Sequence, residues 1–290
     1  MNVLSLFDGM SCGQIALNRS GITVDNYYAS ELDTYAIKVT QANYPNTFQL
    51  GDVTKWRDWE IDWSSIDLLL GGSPCQGFSF AGKQLAFDDP RSKLFFVYVD
   101  ILNHIKSVNP DVNYLLENVR MRKEYLAIIS EHLGVEPVFI NSALVSAQNR
   151  QRYYWCNWHI EQPNDKCILL KDIIDSECGS VNSAKDKNPE ISGDYLHFDP
   201  AGKGHKSLCN RVNLPNSKHK SLSGTSGGNK HGVVVDEQEF TYRKLTPIEC
   251  ERLQTVDDGY TDHVSNTQRY KMLGNGWTVD VIAHLFKEIQ

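Results

Sequence analysis

The first 155 residues alternate between short apolar runs and longer stretches whose apolar positions recur every three or four residues. The run Val3-Leu4-Ser5-Leu6-Phe7 predicts a buried strand, and the glycine-bearing turn after it leads into a helix through Leu17. Further strands are predicted at residues 27–30, 47–51, 66–70, 113–116, 135–140 and 152–155, with helices at 34–43, 94–105 and 125–132. This alternation predicts an α/β fold with a mostly parallel central sheet and helices on both faces.

Between about residues 161 and 240 the pattern breaks down, and Asn, Ser, Gly and Lys dominate, as in residues 221–229. Such a segment builds little core. The chain therefore reads as an α/β body over 1–160, a smaller irregular domain over 161–240, and a return to the body over 241–290 that ends in an amphipathic helix at 279–289. At 290 residues and 41% hydrophobic composition, it can bury roughly three quarters of its unfolded surface without a disulfide or metal staple.

Charge and cysteine usage narrow the setting. The net charge of −7 argues against an indiscriminate polyanion binder, but residues 201–235 carry five Lys, one Arg and three His with no Asp or Glu. Charges of that kind neutralise phosphates, while the neighbouring Asn and Ser supply hydrogen bonds. A solvated loop is the plainer alternative. The seven cysteines, at 12, 75, 156, 167, 178, 209 and 250, form no CxxC pair or zinc spacing, so a reducing intracellular setting and no metal are expected. The chain starts on an apolar run without a basic leader, and no stretch is long enough to span a membrane. A soluble protein is expected.

Candidate chemistry gathers at predicted strand ends. Cys75, in Ser73-Pro74-Cys75-Gln76, follows the strand at 66–70 and a Gly71-Gly72 pair, where an α/β enzyme can present a nucleophile. Gly9 and Gly13 permit a tight turn and close backbone approach, Glu31 can accept from a ribose diol, and Asp52 from an adenine amino group. The spacing is not GxGxxG and no P-loop Lys is present. An adenosine cofactor with a sulfonium and an amino-acid tail, S-adenosylmethionine, therefore fits better than a nucleotide with a pyrophosphate. Glu117 follows another strand, and Arg150 and Arg152 share one face of an extended segment. Ordinary helix caps and loop braces are the structural alternatives for these residues.

Six ordered motifs then give a family resemblance over almost the whole chain. They are Leu6-Phe7-Asp8-Gly9-Met10-Ser11-Cys12-Gly13, Ser73-Pro74-Cys75-Gln76-Gly77-Phe78-Ser79, Glu117-Asn118-Val119, Gln148-Asn149-Arg150-Gln151-Arg152, the segment from Arg243 to Gln254, and Gly274-Asn275-Gly276-Trp277-Thr278-Val279. Together they closely resemble the C5-cytosine DNA methyltransferases. Leu4 to Gly9 and the Trp277-Thr278-Val279 turn are similar to the animal de novo enzymes, whereas Gln76, Gly274-Asn275 and Gly82-Lys83-Gln84 are closer to bacterial ones. Cys12 stands where many members have glycine.

The resemblance implies Cys75, Glu117, Arg150 and Arg152 as catalytic residues. It implies a cofactor surface formed by Phe7, Gly9, Cys12 and Gly13, by Glu31, Leu32, Asp52 and Val53, by Gly72, Pro74 and Leu94, and by Asn275, Trp277, Thr278 and Val279. Duplex DNA would meet Gln76, Ser79, Lys83 and Gln84 on a closing loop over 77–89. It would also meet Arg211, Lys218, Lys220 and Asn229 in the recognition region, with Asn213 and Asn216 as further base readers. The cytosine would be flipped out and attacked at C6 by Cys75, the methyl group would come from S-adenosylmethionine, and S-adenosylhomocysteine would leave. A monomer is expected, in a bacterial cytoplasm or a virus-infected host cell, with a restriction endonuclease as partner only at the level of the system. A tRNA cytosine methyltransferase and an inactive DNA-binding homologue are the competing readings.

Overall fold

The computed structural model describes residues 1–73, 93–175, 180–199, 211–224 and 231–289. The chain divides into two compact units, one of Met1–Asn141, Gln151–Gln162 and Val281–Gln290, the other of Ser142–Arg150 and Pro163–Asp280. The second unit thus takes in most of the region from residue 241 onward, and the return to the first begins at Val281.

Among the described residues the first unit holds a seven-stranded sheet. Its strands are β1 (Asn2–Leu6), β2 (Asn26–Ser30), β3 (Phe48–Gln49), β4 (Leu68–Gly71), β5 (Asn113–Val119), β6 (Val138–Asn141) and, beyond the two-residue β7 (Gln148–Asn149) of the second unit, β8 (Gln151–Cys156). Their order is β3-β2-β1-β4-β5-β8-β6. The first five run parallel, and β8 lies antiparallel to both β5 and β6. Val3, Leu4, Leu6, Leu68, Leu69 and Leu70 are fully buried, which is why β1 and β4 read as continuous apolar runs: both faces of a central parallel strand are covered.

The helices are α1 (Cys12–Arg19), α2 (Thr34–Asn43), α3 (Lys93–Val108) and α4 (Lys123–Leu133). On α3, Phe95, Tyr98, Ile101, Leu102 and Ile105 form a buried stripe at helical spacing, in one core cluster with Leu69 and Leu116. α2 starts where the Asp33 side chain accepts from the Tyr35 amide, and α4 stops at the left-handed Gly134.

In the second unit the region read as irregular contains a sheet. Strands β9 (Val181–Ser183), β10 (Glu190–Ser192), β11 (Tyr195–His197), β12 (Arg211–Asn213), β14 (Gly232–Asp236) and β15 (Thr241–Lys244) are ordered β10-β11-β12-β14-β15-β9, while β13 (His219–Lys220) pairs with β7. Three-residue strands such as β11 and β12 give the core one apolar residue each, Leu196 and Val212. No alternation long enough to read results.

Helices α5 (Pro247–Leu253) and α6 (Asn266–Asn275) follow. The α5 cap joins Thr246 and Glu249 reciprocally, and Glu249, fully buried, also takes both terminal nitrogens of Arg243 at 2.8 and 2.6 Å. The final helix α7 (Val279–Phe286) is shorter than the 279–289 expected. In the first unit Ser20 Oγ and Trp158 Nε1 donate to its Ala283 and Leu285 carbonyls.

Candidate active site

Strand order locates the site. From β1 the sheet grows one way to β2 and β3 and the other way to β4 and β5, so the carboxyl ends of β1 and β4 flank the switch point where open α/β sheets bind ligands. Residues 7–11 leave β1 there, and Gly72 and Ser73 leave β4. Pro74, Cys75, Gln76, Ser79, Lys83 and Gln84 follow directly and lie outside the described residues, as does the whole 77–89 loop.

The β1 turn is held in an uncommon backbone. Phe7, Gly9 and Ser11 all have φ near +60°, which for Phe and Ser costs on the order of 1–3 kcal/mol each. Asp8 supports this shape from inside: its carboxylate accepts from Tyr27 OH at 2.7 Å and from Ser11 Oγ, and Ser11 Oγ receives Gln14 and Thr40. Burial pushes the Asp8 carboxyl up from 3.8 to about 6, against the pull of its hydroxyl partners. The sequence reading passed over Asp8 as a site residue; its signal is a lone acid between a buried strand and a buried helix start.

The turn meets Glu31 at the end of β2. Glu31 Oε2 accepts the Gly9 amide at 2.8 Å, and Oε1 accepts the Leu32 and Asp33 amides at 2.7 and 2.8 Å. A carboxylate offers about four acceptor positions, so one is open for a ribose hydroxyl while the Gly9 bond holds, and a second only when it opens. Leu32, 66% exposed beside it, offers apolar surface of the kind an adenine covers. Asp52 Oδ1 accepts the Thr54 amide and hydroxyl at 2.9 and 2.8 Å, which holds its carboxyl below the ordinary value. It also caps the short helix Val53–Asp58, and its Oδ2 has no partner among the described residues. Cys12, Gly13 and Val53 are buried, and Phe7 and Leu94 pack against the core. Two carboxylates with acceptor positions to spare, an exposed leucine and a close backbone turn suit an adenosine cofactor.

Glu117 lies inside β5 rather than beyond it, because β8 pairs with that strand as far as Val119. Arg152 stands opposite Val119 and reaches diagonally to Glu117, its Nε 2.7 Å from Oε1 with both side chains largely buried. Next to Glu117, the Asn118 side chain donates to Ser73 Oγ at 3.3 Å. The ends of β4 and β5 are thereby tied together at the last described residue before Cys75.

Arg150 has a different environment. It belongs to the second unit and is 3% exposed. Its Nη1 donates to Ser221 Oγ and the Leu222 carbonyl, and its Nη2 to the Gly274 and Gly276 carbonyls. Of the remaining second-unit residues, Asn275 is exposed, Trp277 half-buried, and Thr278 and Val279 buried. Lys218 Nζ donates to the Ala143 and Ser146 carbonyls, and the buried Asn213 amide is engaged by Ser217 and Lys218, which leaves Asn213 no amide hydrogen for a base. Arg211 lies 4.3 Å over the Tyr195 ring. Lys220 and Asn216 are described and partly or fully exposed, whereas Asn229 lies outside the described residues.

Comparison with known proteins agrees with this geometry. The family described as C-5 cytosine-specific DNA methylase matches residues 1–156 and 179–290. The type II methyltransferase M1.ScrFI of Lactococcus lactis subsp. cremoris is 29% identical, covering 97% of this chain and 75% of its own. M.NlaX of Neisseria lactamica is 26% identical, covering 99% and 96%. Among solved structures, the Entamoeba histolytica methyltransferase EhMeth superposes with a TM-score of 0.72 at 18% identity, covering 99% of this chain and 97% of that one, which speaks to the fold. The chain belongs to the C5-cytosine-specific DNA methyltransferases. It methylates C5 of cytosine in duplex DNA and takes the methyl group from S-adenosylmethionine.

Proposed function

We propose that Cys75 is the nucleophile of this reaction, that Glu117 and Arg152 hold the flipped cytosine, and that residues 7–13, Glu31, Leu32 and Asp52 hold the methyl donor. The observation that carries the reading is the Glu117–Arg152 pair, 2.7 Å apart and largely buried, on the strand tied through Asn118 to Ser73.

C5 of cytosine is a weak nucleophile. Addition of the Cys75 thiolate forms an Sγ–C6 bond and moves the C5–C6 π electrons so that C5 becomes enamine-like. Glu117 bonds the N3 and amino edge of the base and stabilises its nitrogen-protonated form. Arg152 fixes the Glu117 carboxylate and reaches for O2 or a nearby phosphate. The bound cofactor supplies an electrophilic methyl group on sulfur. Loss of the C5 proton to water, with cleavage of the Sγ–C6 bond, then returns the thiolate and restores aromaticity. An ordinary thiol has a pKa of about 8.5, so lowering it by about 1.5 removes roughly 2 kcal/mol of deprotonation cost.

In the second unit, Arg211 and Lys220 are the cations proposed to meet DNA, while Lys218 braces the segment that carries them. The bacterial sources of the curated relatives support a bacterial setting, with a restriction endonuclease as companion at the level of the system.

The test is methylation of random duplex DNA with labelled donor and base-resolution detection of 5-methylcytosine, repeated with Glu117→Gln. Loss of one preorganised partner of the developing charge lowers turnover by about 10²–10³. Undiminished turnover removes Glu117 from the reaction.

A further inference from the structure

We infer that Arg120, Arg122 and Lys123, just beyond β5, form a binding site for phosphates of the DNA strand that carries the target cytosine. The inference rests on the reading above, in which Glu117 holds the flipped base, and the site lies wholly within the first unit.

The segment presents its charges from a fixed backbone. In Arg120-Met121-Arg122-Lys123 the three cations are exposed, whereas Met121 is buried in the core cluster that includes Leu116, Ile129 and Leu133. Arg120 is also tied to the neighbouring strand. Its Nη1 donates to Gln151 Oε1 at 3.0 Å, and Arg152 Nη1 donates to the Gln151 carbonyl at 2.9 Å. Arg152 in turn holds Glu117, so the cations and the base-holding carboxylate share one framework.

Charge points to an anion from outside the chain. The protein carries −7, yet residues 118–123 hold three cations and no acid, and none of the three has an ion-pair partner among the described residues. Lys123 opens α4, and Arg122 is its N-cap without a side-chain cap bond. The helix dipole disfavours cations at that end, so their placement weakens the free protein. Sequences break such local rules mostly at functional sites. Glu124, the one acid of the first turn, leaves the local balance positive.

The reach suits phosphates beside the flipped nucleotide. Along the chain, the Arg120 Cα lies at most about 11 Å from the Glu117 Cα, and the Arg122 Cα at most about 18 Å. A base bound at Glu117 brings its own phosphates with it as it leaves the stack. Phosphates meet cations without regard to sequence.

The test is the salt dependence of duplex binding by the full chain loaded with S-adenosylhomocysteine. Each neutralised phosphate contributes about 0.9 to the slope of log K against log salt, so Arg122→Gln and Lys123→Gln should each lower its magnitude by about 0.9 and the double variant by about 1.8. The same reductions are expected on a duplex that the wild type does not methylate. A second arm locates the contact with single methylphosphonates, which remove one phosphate charge, at positions on either side of the target cytosine. At one of these positions the wild type should lose about tenfold in affinity and the double variant less than about twofold. Wild-type slopes in both single variants overturn the inference. So do methylphosphonate losses that are as large in the double variant as in the wild type at every position, because the cations then lie elsewhere on the DNA. Both arms read binding alone, so undiminished turnover in Glu117→Gln refutes the role of Glu117 while the slopes still judge the cations.

Discussion

Asp8→Asn removes a titration located directly under residues 7–11. In the folded chain the carboxyl faces Ser5, Ser11, Tyr27 and the negative charge of Glu31, and burial moves it from 3.8 to about 6. At about 1.4 kcal/mol per pH unit, keeping it ionised in the fold costs about 3 kcal/mol at neutral pH. The sign follows from proton binding: the folded acid holds its proton more tightly than the unfolded one, so its contribution to stability is full below about pH 4. That contribution is lost as the pH rises to about 6 and is constant above. Asn resembles the neutral acid and does not titrate. Urea-unfolding free energies of wild type and Asp8→Asn, measured side by side from pH 4 to 8, should therefore differ by an amount that changes by about 2.4 kcal/mol across that window, with wild type losing ground as pH rises. Groups that do not interact with Asp8 cancel in the difference. A flat difference profile, or one tilting the other way, refutes the assignment of a desolvated, upward-shifted acid in the turn after β1.

Glu249→Ala strips a fully buried carboxylate from Arg243, Asp175 N and Thr246 N, and should cost about 3–5 kcal/mol in urea unfolding because the buried Arg243 charge loses its countercharge. An unchanged midpoint contradicts the brace. Leu32→Ala removes exposed apolar surface beside Glu31 and should weaken S-adenosylhomocysteine binding about fivefold, roughly 1 kcal/mol of lost burial, with no change in stability; equal affinity removes Leu32 from the adenine site.

What the sequence made legible was whatever local pattern encodes. β1, α2 and the triple leucine of β4 follow from apolar runs and caps, whereas the hydrogen bond from the Gly9 amide to Glu31, where β1 and β2 end, is written in neither motif. The reversal of β8 against β5 was not legible, because strand order depends on long-range pairing, and it is this pairing that carries Arg152 to Glu117. The two motif arginines stand two residues apart on one face of an extended segment as the sequence is read. Instead β7 pairs with β13 in the second unit and β8 with β5 in the first, so Arg150 and Arg152 serve different neighbours. The desolvation of Asp8 comes from packing, which its position in the motif does not reveal.

The central claim, that Cys75 attacks cytosine C6, is tested most directly by trapping. Duplex DNA carrying 5-fluorocytosine at a methylated position lacks the C5 proton whose loss releases the enzyme. With S-adenosylmethionine present, the wild-type chain should form a denaturation-resistant complex whose modified peptide contains Cys75. Cys75→Ala should form none and should still bind S-adenosylhomocysteine. A covalent complex through another cysteine, or one that persists in Cys75→Ala, contradicts the account.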